Sequence, residues 1–232
     1  MKKKAVVLLS GGLDSLTALY VALREGHQIA ALTLDYGQLH QREISFARMN
    51  AEALAIPHQV VHFGLPWKGS SLLDAAIPVP SGRTLETMNS AIPSTYVPAR
   101  NTIFLALAAS YAETLKAEAV FIGANALDYS GYPDCRPDFF TAMQTALNLG
   151  TKTGIEGLVL TLKTPLLHLT KAEIIKLGHS LGVPFERTWS CYQGGDNPCG
   201  ACDACLLRAK GFQEAGCADP WLTSDRDSRI PS

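Results

Sequence analysis

The stretch VVLLSGGLDSLTALY, residues 6–20, decides the fold. A short apolar run leads into Ser10-Gly11-Gly12 and then into leucines at helical spacing, which predicts a buried strand, a tight turn and a helix. Glycines let the backbone N–H groups of such a turn approach an anion, and the first turn of the helix adds further unsatisfied N–H groups. The stretch therefore predicts a phosphate-binding loop, and the alternative is an ordinary strand–helix turn capped by Ser15.

This loop differs from two common phosphate-binding patterns. It lacks the Lys-Ser/Thr ending of a Walker A loop and the spaced glycines of a dinucleotide fingerprint. Ser10 and Ser15 add hydroxyl donors, whereas the carboxylate of Asp14 would repel a phosphate unless a cation such as Mg²⁺ lies between them. We therefore predict Ser10, Asp14 and Ser15 as catalytic residues and Mg²⁺ as a cofactor.

Strand and helix patterns alternate along most of the chain, which predicts an α/β fold with a Rossmann-like parallel sheet and helices on both faces. From residue 183 onward the periodic pattern gives way to a cysteine cluster. We predict a nucleotide-binding domain over residues 1–182 and a small C-terminal zinc-binding segment over 183–232, packed on that domain. The predicted strands are 5–9, 29–34, 59–63, 119–123 and 158–162, and the predicted helices are 15–24, 38–55, 101–116, 137–149 and 170–181.

Four of the six cysteines are concentrated near the C-terminus. Cys191, Cys199, Cys202 and Cys205 have the spacing C-x7-C-x2-C-x2-C, in which thiolates separated by small residues can bind one ion. Four thiolates form a closed tetrahedral zinc site with a structural role. An iron–sulfur cluster is the alternative, because C-x2-C-x2-C also occurs in ferredoxins. Cys135 and Cys217 lie apart, and we expect ordinary thiols there.

The composition limits the function classes. The 232 residues have a formal net charge of −1, which does not indicate a nucleic-acid-binding surface. The longest apolar runs are too short to span a membrane. The start of the chain, MKKKAVVLLSGG, predicts a first strand rather than a secretory signal. We therefore expect a cytoplasmic protein that acts on a small molecule, without a nucleic-acid or membrane partner.

The loop Ser10-Gly11-Gly12-Leu13-Asp14-Ser15 resembles the pyrophosphate loop of the N-type ATP pyrophosphatases. Members of this superfamily cleave ATP between the α and β phosphates and adenylate an oxygen, which a nitrogen or sulfur nucleophile then displaces. The resemblance implies an adenine nucleotide alpha hydrolase-like fold, with adenosine near the turn DYGQ at 35–38. It also implies a nucleotide contact by Leu9, Ser10, Gly11, Gly12, Leu13, Asp14, Ser15, Leu16, Thr17, Ala18 and Leu19.

The turn-rich segment DYSGYPDCR, residues 128–136, follows a predicted strand. Its tyrosines can stack on a planar, guanine-like ligand, and its carboxylates can accept hydrogen bonds from the ligand's N–H groups, although turn formation alone could explain it. We predict Arg100, Asp128, Tyr132 and Asp134 as substrate-binding residues. Lys163 and Arg100 are candidate cations for a phosphate or a carboxylate, with solvated surface charges as the alternative.

Taken together, these motifs are similar to those of the 7-cyano-7-deazaguanine synthase family of queuosine biosynthesis. The similar stretches are SGGLDS, LDYGQLH, VPARN, DYSGYPDCR and CGACDAC, in that order along nearly the whole chain. The resemblance implies a homodimeric, zinc-containing, ATP-dependent carbon–nitrogen ligase that converts 7-carboxy-7-deazaguanine and ammonia into the nitrile through adenylated carboxylate and amide intermediates.

Two other functions remain open from the residues alone. One is a tRNA thiolation enzyme of the same superfamily with an iron–sulfur cluster, which the near-neutral charge and the short chain disfavour. The other is a non-catalytic ATP-binding module that offers its zinc segment to a partner.

Overall fold

A computed structural model describes residues 2–84, 87–88, 92–127 and 132–222. Its centre is a five-stranded parallel sheet with the strand order β3-β2-β1-β4-β5. The strands are β1 (Lys4–Leu8), β2 (Gln28–Asp35), β3 (His58–His62), β4 (Ala119–Phe121) and β5 (Thr161–Lys163).

Helices cover both faces of this sheet, as the sequence predicted. They are α1 (Leu13–Arg24), α2 (Arg42–Ala53), α3 (Arg100–Leu115), α4 (Pro137–Leu149), α5 (Lys152–Ile155), α6 (Lys171–Leu181) and α7 (Asp203–Ala215), with short 3-10 turns at Pro133–Cys135 and Phe185–Arg187. One hydrophobic cluster joins one face to α1, α2, α6 and α7, and a second joins the other face to α3 and α4.

The alternation of side chains along β1 explains the two clusters. Ala5 and Val7 pack into the first cluster, while Val6 and Leu8 pack into the second, and all four are buried. Successive side chains of a strand point to opposite faces, so a central strand covered on both sides is apolar throughout. Burying each Val or Leu side chain contributes about 1.5–3 kcal/mol. Since β1 contributes such side chains to both clusters, it lies at the centre of the fold.

The observed elements differ from the predicted ones at the C-terminal side. The fifth strand begins at Thr161, not at residue 158, because Leu158 and Val159 lie outside the sheet and are mostly exposed. Helix α7 lies within the cysteine segment, where no helix was predicted. Its Gly211 interrupts the helical pattern but allows close packing on α6, since an added Cβ would lie 2.3 Å from Lys171 Cγ.

The helix boundaries were predicted to within a few residues. Helix α6 begins after Thr170 as expected, and Thr170 forms a capping box with Glu173. Helix α1 begins at Leu13, two residues before the predicted start, with Gly12 as N-cap. No helix in the described parts of the chain combines the length and the apolar character needed to cross a bilayer.

Candidate active site and metal centre

A cavity of about 250 Å³ lies at the carboxyl end of the sheet, between the ends of β1 and β4. The strand order changes direction at this point, and open α/β sheets bind ligands at such switch points. Ser10 to Ser15, apart from Gly11, line one part of the cavity, and Arg100 lines another part among aromatic rings. Both predicted motifs therefore contribute to the same space.

Hydrogen bonds within the loop hold its shape. The hydroxyl oxygens of Ser10 and Ser15 lie 3.0 Å apart, and Ser10 Oγ accepts a hydrogen bond from the backbone N–H of Gly12. Ser15 Oγ accepts from the backbone N–H of Ser10 and donates to the carbonyl of Gly12. No side chain among the described residues caps the N-terminus of α1. Gly12 and Leu13, at this positive end of the helix, line the cavity.

The range predicted to contact the nucleotide divides into two groups. Its cavity-lining members are Leu9, Ser10, Gly12, Leu13, Asp14 and Ser15. Leu16, Thr17, Ala18 and Leu19 are instead fully buried in α1 and do not line the cavity. Gly11 has a packing role, since an added Cβ would lie 1.9 Å from the carbonyl oxygen of Glu43.

Lys171 is a cavity residue that the sequence did not predict. Its Nζ lies 2.8 Å from each carboxylate oxygen of Asp14, so the first turn of α6 brings a cation to the phosphate loop. This pair lies 157 positions apart in the chain, and no local motif joins the two residues. The loop itself carries no lysine of the Walker type, and Lys171 brings a positive charge beside it from a distant helix.

Arg100 also lines the cavity, at the first position of α3. Its guanidinium contacts the Tyr36 hydroxyl at 3.4 Å and lies over the ring of Phe104. Within the described residues it forms no ion pair with a carboxylate. A partly buried guanidinium without a carboxylate partner is suited to bind an anionic ligand.

The rings around Arg100 also line the cavity. They belong to Tyr36, Phe104, Tyr132 and Tyr192. Burial raises the pKa of the Tyr36 and Tyr132 hydroxyls, so both stay protonated near neutral pH. Tyr132 hydrogen-bonds Thr95 at 2.7 Å, which fixes the orientation of its ring. Aromatic walls beside a cation can accommodate a planar, negatively charged molecule.

The structure separates the four predicted substrate-binding residues. Arg100 and Tyr132 line the cavity, whereas Asp134 does not. The Asp134 carboxylate accepts a hydrogen bond from the backbone N–H of Asn101 at 3.0 Å and so holds the first turn of α3. Asp128 lies outside the described residues. Lys163, the other candidate cation, lies away from the cavity and pairs with Glu25.

Glu43, on the first turn of α2, is a second cavity residue that the sequence did not predict. Burial raises the pKa of its carboxyl to about 7, against the opposing influence of the Arg100 guanidinium and the Gln38 side chain. No sequence signal singled it out, because a glutamate in the first turn of a helix is common for capping and dipole reasons.

The four C-terminal cysteines come together, as predicted. Their sulfur atoms all lie within 4.8 Å of one another, and Cys199 Sγ lies 4.0 Å from Cys205 Sγ. Four thiolates around a zinc ion with bonds of about 2.3 Å would have sulfurs about 3.8 Å apart. The arrangement therefore fits a tetrahedral metal ion after a small contraction. Cys135 and Cys217 are not part of the cluster.

Backbone N–H groups are directed at these sulfurs. Cys191 Sγ accepts from Gln193 and Cys199, and Cys199 Sγ accepts from Ala201 and Cys202. Hydrogen bonds from the Cys202 and Cys205 thiols lower the pKa of Cys191, while the pKa of Cys202 is raised to about 11 by its bond to Cys191. Four neighbouring thiolates repel one another in the absence of a cation. A metal ion would compensate their charge and so stabilise the deprotonated cysteines.

The metal centre adjoins the cavity. Trp189, Ser190 and Tyr192 flank Cys191 and line the cavity wall. The N–H of Trp189 donates to the carbonyl of Gly11 at 3.0 Å, which joins this segment to the phosphate loop. Arg208, three residues after Cys205 on α7, donates to Thr188 and Ser190 and pairs with buried Asp219. The cysteine segment is therefore part of the cavity wall.

Comparisons with known proteins identify the family of the chain. The chain is 55% identical over 221 residues to the 7-cyano-7-deazaguanine synthase of Trichodesmium erythraeum, with 94% of this chain and 100% of that protein covered. The synthase of Thermoplasma acidophilum is 54% identical, with 94% of this chain and 91% of that protein covered. The synthase of Nostoc punctiforme is 56% identical, with 94% and 98% covered. Residues 4–216 match the family model described as queuosine biosynthesis protein QueC. The chain therefore belongs to the QueC family of queuosine biosynthesis proteins.

Proposed function

We propose that the chain is an ATP-dependent ligase that converts 7-carboxy-7-deazaguanine and ammonia into 7-cyano-7-deazaguanine. The observation that carries this proposal is the shared cavity, which the predicted phosphate loop and a partly buried arginine both line. The family membership supplies the substrate class, since relatives that are 54–56% identical carry the name of this synthase.

The chemistry explains why both parts of the cavity are needed. A carboxylate is a poor electrophile, so its oxygen must attack the α phosphorus of ATP and release pyrophosphate. Ammonia then displaces AMP and gives the amide. A second adenylation, of the amide oxygen, lets AMP leave as the C≡N bond forms. Each adenylation requires a binding site for pyrophosphate and a fixed position for the reacting carbon.

The loop is the proposed pyrophosphate site. Ser10, Gly12 and Ser15 would surround the phosphates, with backbone N–H groups and hydroxyls that are already arranged by the hydrogen bonds within the loop. Gly11 would let the loop pass close to α2. Lys171 adds the positive charge that stabilises the departing pyrophosphate. Its contact with Asp14 would loosen as the phosphates bind.

Mg²⁺ bound with ATP would neutralise further phosphate charge, and Asp14 is the residue proposed to contact it. The residues fit such an ion, because Mg²⁺ keeps several waters and commonly takes only one or two carboxylates in addition to substrate phosphates. Asp14 lines the cavity at the loop end and so offers one such carboxylate.

The part of the cavity around Arg100 is the proposed substrate site. Arg100 would bind the carboxylate of the deazaguanine, and the tyrosine rings around it would pack on the planar base. Tyr132 belongs to this wall. Asp134 would act through the first turn of α3, which carries Arg100. Asp128 remains a proposed contact to the base.

The metal is proposed to be zinc in a structural role. Four cysteine sulfurs leave no coordination position for a substrate, so the ion would hold the segment that carries Trp189 and Tyr192 against the cavity. The homodimer, the cytoplasmic location and the absence of a nucleic-acid partner are part of the same proposal and rest on the family resemblance and the near-neutral charge.

Turnover of the purified protein tests the function. With ATP, Mg²⁺, ammonium and 7-carboxy-7-deazaguanine, we expect the nitrile together with two AMP and two pyrophosphate per nitrile. Reactions without ammonium or without the carboxylate are the controls. Release of only ADP and phosphate would contradict the adenylation mechanism, and ATP binding without turnover would indicate a non-catalytic module.

The metal has a test of its own. Elemental analysis should find one zinc per chain in a colourless protein. A brown protein that contains iron and sulfide would contradict zinc and favour the thiolation enzyme.

A further inference from the structure

The proposed reaction releases protons from nitrogen at three points. When ammonia attacks the acyl-adenylate, the new C–N bond leaves a positive charge on nitrogen, which must lose one proton as the C–O bond to AMP breaks. After adenylation of the amide oxygen, nitrogen loses a second proton to give the imidate. It loses a third as the second C–O bond to AMP breaks and C≡N forms. A base near the reacting carbon would accelerate each of these steps.

The cavity contains few groups that could act as this base. The Asp14 carboxylate is engaged by Lys171 through both of its oxygens, at the phosphate end. Burial raises the pKa of Cys135 to about 11, and it raises the pKa of the Tyr36 and Tyr132 hydroxyls, which stay protonated. These groups are either occupied or too weakly acidic to accept and release protons near neutral pH.

Glu43 differs from them in position and in its partners. It lines the cavity, as does Arg100, the residue proposed to bind the substrate carboxylate. The two side chains interact electrostatically, yet they form no ion pair within 4.0 Å in the described parts of the chain. The charged and titratable groups that interact with Glu43 are Arg100 on α3 and Tyr36 after β2. A substrate carbon held at Arg100 would therefore lie near a carboxylate that no cation of the described chain neutralises by direct contact.

The backbone holds Glu43 in this position. Its carbonyl oxygen packs directly against Gly11, and an added Cβ there would approach it to 1.9 Å. The first turn of α2 is thus fixed to the loop, so that the backbone from which the Glu43 side chain extends keeps a constant position beside it. The raised pKa of Glu43, about 7, suits a group that takes up and releases a proton in every cycle.

We propose that Glu43 is the general base that removes the protons from nitrogen in the two halves of the reaction, a role that rests on the proposed function. Between steps, each proton passes from the Glu43 carboxyl to water in the open cavity. Adenylation of the carboxylate itself releases no proton and does not need Glu43.

Adenylation can therefore be measured separately from the later steps. The carboxylate-dependent exchange of labelled pyrophosphate into ATP, measured without ammonium, reports adenylation alone. Nitrile formation with ammonium reports the complete reaction. For Glu43→Gln, we expect exchange within about threefold of the wild type and a loss of nitrile formation of about 10²–10⁴-fold, the usual contribution of a positioned base. The matched control is Glu52→Gln, at an exposed position of the same helix, which should leave both rates unchanged.

The possible outcomes distinguish a failure of the proposed ligase function from a failure of the proposed role of Glu43 as a base. Wild-type protein without exchange would contradict the proposed function itself. A Glu43→Gln variant that forms nitrile at the wild-type rate, or that loses exchange and nitrile formation equally, would overturn the role of Glu43 as a base. If that variant does not fold, Glu43→Asp carries the test. Shortening the side chain by one methylene should lower nitrile formation about tenfold or more with exchange intact, and equal losses would overturn the proposal.

Discussion

The two ends of the cavity are built in different ways. The phosphate end consists mainly of one continuous loop, Ser10 to Ser15, whose residues hydrogen-bond to one another. The substrate end brings together side chains from separate segments, namely Tyr36, Glu43, Arg100, Tyr132 and Tyr192. A contiguous loop can be recognised as a motif, whereas a site assembled by long-range packing leaves only scattered residues in the sequence. Substitutions can therefore test the two ends separately.

Gly11→Ala should have the largest effect, because Gly11 packs directly against the first turn of α2. An added Cβ would lie 1.9 Å from the carbonyl oxygen of Glu43, and Gly11 has a φ of +89°. Backbone on both sides must move, so we expect a loss of about 4 kcal/mol or more in the free energy of unfolding, measured with urea. Gly37→Ala is the control, since its φ is +84° but nothing lies within 4 Å. It should lose only about 1–2 kcal/mol, and equal losses would contradict the packing argument.

Arg100→Ala should damage the substrate end alone. Removing the cation from the aromatic wall should lower kcat/KM for the carboxylate by about 100-fold or more, while the KM for ATP changes by less than about threefold. Steady-state kinetics with each substrate varied in turn measure this difference. Lys163→Ala is the control, because Lys163 pairs with Glu25 away from the cavity. A parallel loss for both substrates would show that the two ends are not independent.

Lys171→Met should damage the phosphate end. The variant loses the cation that contacts Asp14 and leaves that carboxylate facing the phosphates. We expect carboxylate-dependent pyrophosphate exchange to fall about 10–100-fold, because the developing charge on pyrophosphate is no longer stabilised. Equilibrium binding of the deazaguanine carboxylate should be unchanged. Lys176→Ala, an exposed position of the same helix, is the control. Exchange at the wild-type rate in Lys171→Met would contradict this role.

Removal of the metal should change the loop at Ser10 to Ser15 least. It should lower the stability of the cysteine segment that forms the cavity wall beside the loop. At a zinc concentration about 1,000-fold above Kd, binding contributes about 4 kcal/mol to stability. For a chain of this size, that corresponds to a Tm about 8–16 °C lower after chelation. Four thiols should become reactive, and the fluorescence of Trp189 and Trp221, which pack around the cluster, should change. Cys217→Ser, outside the cluster, should retain the metal. An unchanged Tm after complete zinc loss would contradict the structural role.

The elements that the sequence predicted well depend on local patterns. The order of strands and helices, the loop and the helix cap at Thr170 follow from hydrophobic period, glycine positions and capping residues, all within short windows. The elements that it predicted poorly depend on distant partners. Strand β5 begins at Thr161, the residue that pairs with Ala119 of β4. Helix α7 contains Gly211 because α6 packs too closely at this position for a larger side chain.

The site shows the same division. The sequence by itself determined where the loop and the cysteine cluster lie, and it predicted Arg100 as a binding residue, because each belongs to a recognisable stretch. Only the tertiary structure decided that Lys171 contacts Asp14, that Glu43 interacts with Arg100 and that Asp134 holds α3 instead of lining the cavity. The physical reason is that a parallel sheet brings the ends of distant segments to one edge, and the partners that meet there are set by packing, not by spacing along the chain.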